Sequence, residues 1–334
     1  MPRLRHVDCA EPGYGRRRRG RGFTYVDPRG APLRDAGELD RIKALVIPPA
    51  WTDVWICRHA HGHLQAVGTD AAGRRQYLYH PTWREQRDRQ TFHEMLGFAD
   101  ALPRLRRRSA RFLSEPGLTR NRVLGFAVLL LDRGLFRVGS EEYAEENGSY
   151  GLTTLERRHV ALDGRSTLVF DYVGKTGRRI VQQVADRRLY GVGAELKERP
   201  GRRKAFLAFT DGDGWTDLRA ADVNTFIKDE TGADFSAKDF RTWHATVLAA
   251  ASLAQSAEKR SGAGRTRAIN AAAEDVAEAL GNTPAVCKAS YIDPRVFDRY
   301  RSGSTIPADV AARNGAGVRS QRAREEAVLR LLED

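Results

Sequence analysis

The feature that most restricts the fold of this chain is a change of hydrophobic period near residue 90. Before it, apolar residues come in short runs broken by Pro and Gly: "RGFTYVDPRGAPL", "ALVIPPAWTDVWIC" and "HLQAVGTDAAGRRQYLYHP". Such runs read as strands and turns. From about Gln90 the apolar spacing becomes helical, through "TFHEMLGFADALPRLRRRSARFL" and "LTRNRVLGFAVLLLDRGLF". The two periods cannot belong to one layer of structure. The sequence therefore predicts an α+β chain: a small N-terminal antiparallel β-sheet domain over 1–90, then a larger, mainly α-helical domain over 91–334. One β element interrupts the helices, because "STLVFDYVGKTGRRIVQQV" reads as a hairpin turning at "GKTG". Helices are expected again in "DVNTFIKDETG", "SAKDFRTWHATVLAAASLAQ", "TRAINAAAEDVAEALG" and "SQRAREEAVLRLLED". The arginine cluster at 16–19 reads as a low-complexity stretch.

The 334 residues suffice for two domains of ordinary size, and a hydrophobic fraction of 41% can fill a core. Lys and Arg number 56 against 43 Asp and Glu, a net charge of +13. That excess points to a polyanionic partner, nucleic acid before membrane. Most of it is arginine, whose planar fork matches phosphate oxygens. The three cysteines form no CxxC pair or disulfide framework, which fits a reducing compartment. The first residues carry no apolar run of the kind a signal peptide has. "FAVLLL" and "TVLAAASLA" are too short to span a bilayer. A cytoplasmic protein with no membrane association is expected.

Several local patterns imitate catalytic or metal sites. "GKT" at 174–176 lacks the glycine that a phosphate-binding loop needs at position 169, where Val stands, and a strand follows it. "CRHAHGH" would align Cys57, His59, His61 and His63 on one face of a strand, but no second ligand cluster follows, and no metal is expected. "DGDGWTD" at 211–217 lacks the ligand order of a calcium loop and reads as a hairpin turn.

"GNTPAVCKASYIDP" is more informative. Gly281 ends a helix, Thr283 followed by Pro284 starts another, and Asp293 followed by Pro294 starts a third. Tyr291 thus falls at a helix junction, nine residues after Asn282. On the residues alone it either packs between the helices or leaves the core to meet a partner. Four further pieces matter if the partner is DNA. "LFRVGS" carries Arg137 at the end of an apolar helix, and the hairpin turn carries Lys175. "KDFRTWH" carries Lys238 and Arg241, three apart and so on one helix face. In the N-terminal domain, Tyr77 and Tyr79 share a strand face flanked by Arg74 and Arg75, with Gln76 on the alternate face. Those tyrosines either touch DNA or pack on a core.

In order and type, Arg137, Lys175, Arg241, Asn282 and Tyr291 resemble the active site of type IB DNA topoisomerases, most closely the small poxvirus-like and bacterial enzymes. "IPPAWTDVW" and "GRRQYLYHP" resemble that family's N-terminal domain. The resemblance implies an enzyme that relaxes supercoiled double-stranded DNA through a 3′-phosphotyrosyl intermediate, without ATP or another cofactor and without a required metal. It implies that Tyr291 is the nucleophile and that Lys175 is the acid, with Lys238 in support. It implies DNA contacts from Arg74, Gln76, Tyr77 and Tyr79, and a nucleoid-associated monomer clamped around the duplex. One position departs from the family, which usually has His where this chain has Asn282. An amide donates a hydrogen bond but does not titrate, so proton transfer there is excluded.

The chemistry is self-consistent. A tyrosine ester stores the energy of the broken phosphodiester. A free phenol has a pKa near ~10, and guanidinium neighbours favour the phenolate. Arg137 and Arg241 suit the extra charge of a five-coordinate phosphorus, with Asn282 as a neutral donor. Two alternatives remain at this point. A tyrosine recombinase shares the nucleophile but has His-x-x-Arg where this chain has Lys238-Asp-Phe-Arg241, and it lacks the N-terminal domain. A non-enzymatic DNA-binding protein would need only the charge and the paired tyrosines.

Overall fold

The computed structural model describes residues 3–71, 73–141, 144, 148–175, 177–212, 214–256, 261–312 and 318–333. They divide into two compact units, 1–91 and 92–334, each with its own core.

The first unit holds β1 (Tyr14–Arg19), β2 (Gly22–Val26), α1 (Ala36–Ala44), β3 (Thr52–Ile56), β4 (Leu64–Thr69) and β5 (Arg75–Tyr79). The strands form one antiparallel sheet in the order β2-β1-β3-β4-β5, so β5 is an edge. Two apolar clusters serve this unit. Ile42, Ile47, Val54, Ile56 and Ala66 make one, and Val7, Cys57, Leu64 and Val67 the other. Alternation along β5 sends Leu78 to the first and Tyr79 to the second.

Three details refine the sequence reading. Helix α1 interrupts what reads as continuous β: Asp35 caps it by accepting from the Glu38 amide at 2.9 Å. The arginine cluster at 16–19 lies in strand β1, paired with β2 and partly with β3. Arg16 is tied down by donating to the carbonyls of Ile47, Pro48 and Trp51, while Arg17, Arg18 and Arg19 are exposed. "CRHAHGH" is the connection between β3 and β4, so the strand that would align its Cys and His residues does not form. Among the described residues no three His, Cys, Asp or Glu side chains gather as metal ligands.

Helix α2 (Pro81–Phe112) begins at a proline, well before Gln90. His80 opens it by accepting the Thr82 amide on Nδ1 at 3.1 Å, and proline suits a first helical position. The second unit continues with α3 (Arg120–Gly134), then β6 (Val160–Asp163), β7 (Thr167–Val173) and β8 (Arg179–Ala185), a three-stranded antiparallel sheet. After α4 (Arg187–Glu198) come the paired β9 (Ala208–Thr210) and β10 (Trp215–Asp217). The remaining helices are α5 (Ala220–Thr231), α6 (Ala237–Gln255), α7 (Gly262–Leu280), α8 (Pro284–Ser290), α9 (Pro294–Ser302), α10 (Ala308–Ala311) and α11 (Val318–Glu333). Among the described residues no helix is long and apolar enough to cross a membrane.

Helix α6 is the axis of this unit. It is buried along nearly its whole length and packs against α3, α7, α9, α10 and α11. A buried ionic network fixes it. The Arg106 guanidinium makes paired bonds to Asp132 at 2.7 and 2.9 Å and to Glu325 at 2.6 and 2.7 Å. His244 on α6 joins Asp132 at 3.1 Å, and Gln321 bridges His244 to Glu325. Burial alone would raise the Asp132 carboxyl, yet its bond to His244 and the Arg106 charge hold it well below the carboxylate range. Four helices, α2, α3, α6 and α11, are thereby locked through directional bonds.

Candidate active site

The local sequence explains how each candidate side chain is delivered. Helix α3 ends in a left-handed turn at Leu135, φ 55°. The chain then buries Phe136 and carries Arg137 in a segment outside helix and sheet. The amides of Leu152 and Thr153 fix that segment by donating to the carbonyls of Arg137 and Val138 at 2.8 and 2.7 Å. The approach requires glycine, because a Cβ on Gly151 would lie 2.5 Å from the Gly139 Cα. Lys175 occupies the turn between β7 and β8 and is exposed. Gly281 closes α7 in the left-handed conformation, φ 62°, and the Asn282 amide returns to the Ala277 carbonyl at 3.0 Å.

Arg241 is the organising group. It is 4% exposed, on the buried face of α6. One guanidinium nitrogen donates to the Leu280 carbonyl at 2.8 Å and the other to the Leu135 carbonyl. These are the unpaired carbonyls at the ends of α7 and α3, so two helix C-termini converge on one cation. Its Nε has no hydrogen-bond partner, and its Cζ lies 5.4 Å from the centre of the Tyr291 ring.

Tyr291 is half-buried at the end of α8, as the junction residue between α8 and α9. Burial alone raises its phenol. The cations of Arg241 and Arg137, with a smaller contribution from Lys238, reverse the sign and leave it below the ordinary value of 10.0. Its backbone is anchored to α6 by Thr246. The Thr246 Oγ1 accepts from the Asp293 amide at 3.1 Å and lies 3.4 Å from the Tyr291 carbonyl. Asp293 then caps α9 by accepting from the Arg295 amide at 2.9 Å.

Arg137 donates to the side-chain oxygen of Asn282. That orients the amide with its Nδ2 away from Arg137, and the Nδ2 has no hydrogen-bond partner. Arg137, Lys175 and Arg241 line one cavity of about 330 Å³, together with Tyr150 and Tyr172. Tyr291 is not in its lining and joins the group through Arg241. Lys238 is exposed on α6, one turn before Arg241. All six residues singled out in the sequence of this unit thus lie in one neighbourhood, which presents cationic groups and an unused amide donor around an acidified phenol.

In the first unit, Tyr77 and Tyr79 stack along one face of edge strand β5, ring centres 6.3 Å apart and planes 17° apart. Tyr77 is 45% exposed, whereas Tyr79 packs on Val7, Cys57, Leu64 and Val67. Asp70 holds both other candidates: Arg74 through an ion pair at 2.8 Å and Gln76 at 2.9 Å.

The sequence reading missed several supports. Tyr172, on β7, is 5% exposed and donates to Gln182 on β8 at 2.8 Å. Its signal was a polar tip in the inward series Leu168, Phe170, Tyr172. Thr246 continues the buried stripe of Thr242 one turn on. The Leu135 and Leu280 carbonyls leave no side-chain signal.

Residues 80–305 match the family described as eukaryotic DNA topoisomerase I, catalytic core, and residues 22–70 match the bacterial DNA topoisomerase IB N-terminal domain. Over 272 residues, covering 79% of this chain and 80% of the relative, the sequence is 30% identical to a DNA topoisomerase 1B of Acanthamoeba polyphaga mimivirus. Over 136 residues it is 29% identical to DNA topoisomerase 1 of Schizosaccharomyces pombe, covering 41% of this chain and 16% of that protein.

Proposed function

The chain belongs to the type IB DNA topoisomerases, and we propose that Tyr291 is the nucleophile with which it relaxes supercoiled duplex DNA. The observation that carries this assignment is the placement of the Tyr291 ring 5.4 Å from the Arg241 guanidinium, with the phenol made more acidic by Arg241 and Arg137.

The Tyr291 oxygen forms a bond to the scissile phosphorus as the bond to the deoxyribose 5′-oxygen breaks. The phenol gives up its proton to solvent water, and the departing 5′-oxygen takes one from Lys175 at the hairpin tip. Arg137 and Arg241 bear on the non-bridging oxygens, and the unpartnered Nδ2 of Asn282 adds a neutral donor. Lys238 supplies further positive potential. A preorganised donor of this kind typically contributes about 3 kcal/mol in the transition state. The product is a 3′-phosphotyrosyl ester and a free 5′-hydroxyl strand. That strand swivels, supercoils relax, and the same steps in reverse reseal it. One ester replaces another, so neither ATP nor a metal is called for.

Edge strand β5 supplies the second DNA contact. Tyr77 meets the duplex with its exposed ring, backed by the stacked Tyr79 at its side, and Asp70 presents Arg74 and Gln76 to phosphates or base edges. The working form is a monomer clamped around DNA, acting at the nucleoid in the cytoplasm. Membership of the family sets aside the recombinase and the purely architectural readings.

The test is covalent trapping. Incubated with a nicked suicide duplex and run on a denaturing gel, the enzyme is expected to yield a DNA adduct at the 3′-phosphate, and Tyr291→Phe none. An adduct that persists in Tyr291→Phe would remove the assignment.

A further inference from the structure

Tyr172 and Gln182 face the active-site cavity from the lysine hairpin, and the reaction as described leaves them unused. The Tyr172 hydroxyl donates to the Gln182 Oε1 at 2.8 Å. The Gln182 Nε2 in turn donates to the carbonyl of Gly134, the last residue of α3. In the sheet Tyr172 pairs with Ile180 and Phe170 with Gln182, so the two polar side chains are diagonal neighbours on the inward face. Tyr172 also stacks on Phe136, ring centres 6.3 Å apart and planes 21° apart.

We infer that Tyr172 and Gln182 are positioning residues, a hydrogen-bonded latch that holds the Lys175 hairpin in register with the phosphate-binding arginines. Chain distance carries the argument. One end of the latch is Tyr172, three residues before Lys175, and the other is Gly134, three residues before Arg137. The proton donor and the first arginine are thus both leashed to one short chain of hydrogen bonds. An apolar contact at this place would allow the hairpin to slide over Phe136, because apolar packing has no preferred direction. A phenol, an amide and a helix-end carbonyl bonded in series do not slide without breaking. The outer face of the hairpin has a separate brace, since Arg179 pairs with Asp171 at 2.6 Å, and both are largely exposed. The tip beyond these braces turns through Gly174 and Gly177, where the Gly174 amide donates to the Arg178 carbonyl and the Gly177 amide to the Gly174 carbonyl, each at 2.9 Å.

The inference rests on the assignment of Lys175 as the acid, and the experiment separates the two. Single-turnover cleavage is measured for Tyr172→Phe, Gln182→Leu, Gln182→Glu and Lys175→Ala on two suicide duplexes. They are identical except that one carries sulfur in place of the bridging 5′-oxygen. A thiolate leaves without a proton, because thiols are far more acidic than alcohols, so defects in acid delivery vanish on that duplex. On the oxygen duplex Tyr172→Phe and Gln182→Leu are expected to cleave about 10- to 100-fold more slowly, the scale of a misplacement near 1 Å. On the sulfur duplex they are expected within about threefold of the unmutated enzyme at unchanged DNA affinity, an equality set by the same argument. Gln182→Glu keeps the acceptor for Tyr172 but loses the donor to Gly134, so it is expected to behave like Gln182→Leu. Equal losses on both duplexes would overturn the latch. If Lys175→Ala recovers on sulfur while the latch variants do not, the latch alone falls. If Lys175→Ala itself fails to recover, the acid assignment falls and takes the latch with it.

Discussion

Tyr291 and Tyr172 lie near the same two guanidinium groups, yet their phenols move in opposite directions. At Tyr172 burial dominates, and Arg241 and Arg137 do not offset it, so the phenol is pushed up to about 12. At Tyr291 burial is again the largest single influence, but Arg241, Arg137 and Lys238 together outweigh it, and the phenol falls below 10.0. Position therefore separates a phenol that serves as a neutral donor from one ready to ionise. Ultraviolet titration of the DNA-free protein checks this. A component of tyrosinate absorbance is expected to appear before the bulk and to vanish in Tyr291→Phe, while Tyr172→Phe is expected to remove only the most alkaline component. An early component untouched by Tyr291→Phe would contradict the electrostatics. Asn282 acts differently at the same scale. Its oxygen is occupied by Arg137, so its amide offers one defined donor with no dependence on pH.

Among the elements, α6 carries the largest responsibility, because Arg241, Thr246 and His244 lie on it and point to different partners. Its rigidity depends on the buried ions around Arg106. Replacing Asp132 with Asn removes one of the two carboxylates around that guanidinium while Glu325 remains, and such a loss typically costs about 1.5–3 kcal/mol. The pH sign follows from the depressed Asp132 carboxyl. Its stabilisation is fully present above the unfolded value of about 3.9 and drains away as pH falls below it toward the folded value. Urea unfolding across an acid series is therefore expected to show a lower midpoint for Asp132→Asn near neutrality and a flatter acid dependence. A variant as stable as the unmutated protein would show that the network does not brace α6. The elements also show why some of the fold was legible and some was not. The junction holding Tyr291 was readable because Gly281, Thr283-Pro284 and Asp293-Pro294 punctuate it with backbone chemistry that few other residues satisfy. Helix α1 was not, because its nine residues bury only Ile42 and so present no stripe. The run Arg16–Arg19 hid a strand because charge masks alternation when the inward partner is a carbonyl rather than a core. The latch was opaque for a similar reason, since its far end is the backbone of Gly134.

For the whole molecule, the excess of +13 sets how DNA is held. Neutralised phosphates release counterions, so affinity is expected to fall with a log–log salt slope of about −0.9 per phosphate contacted. Six to ten contacts would weaken binding by about 10³- to 10⁵-fold between 50 and 200 mM salt. Filter binding across a salt series measures the slope, and a flat response would argue against backbone contacts. Plasmid relaxation in the same buffers, with chelator and without nucleotide, is expected to proceed. A last consequence comes from the reach of the ionic network across the chain, from Arg106 to Gln321 and Glu325. Translation delivers the phenol before it delivers α11. A nascent polypeptide that has α6 but not yet α11 therefore holds Arg106 and Asp132 without the Glu325 carboxylate and the Gln321 amide that complete the network. The direction of synthesis means that the brace on α6 closes only after Tyr291 has been made.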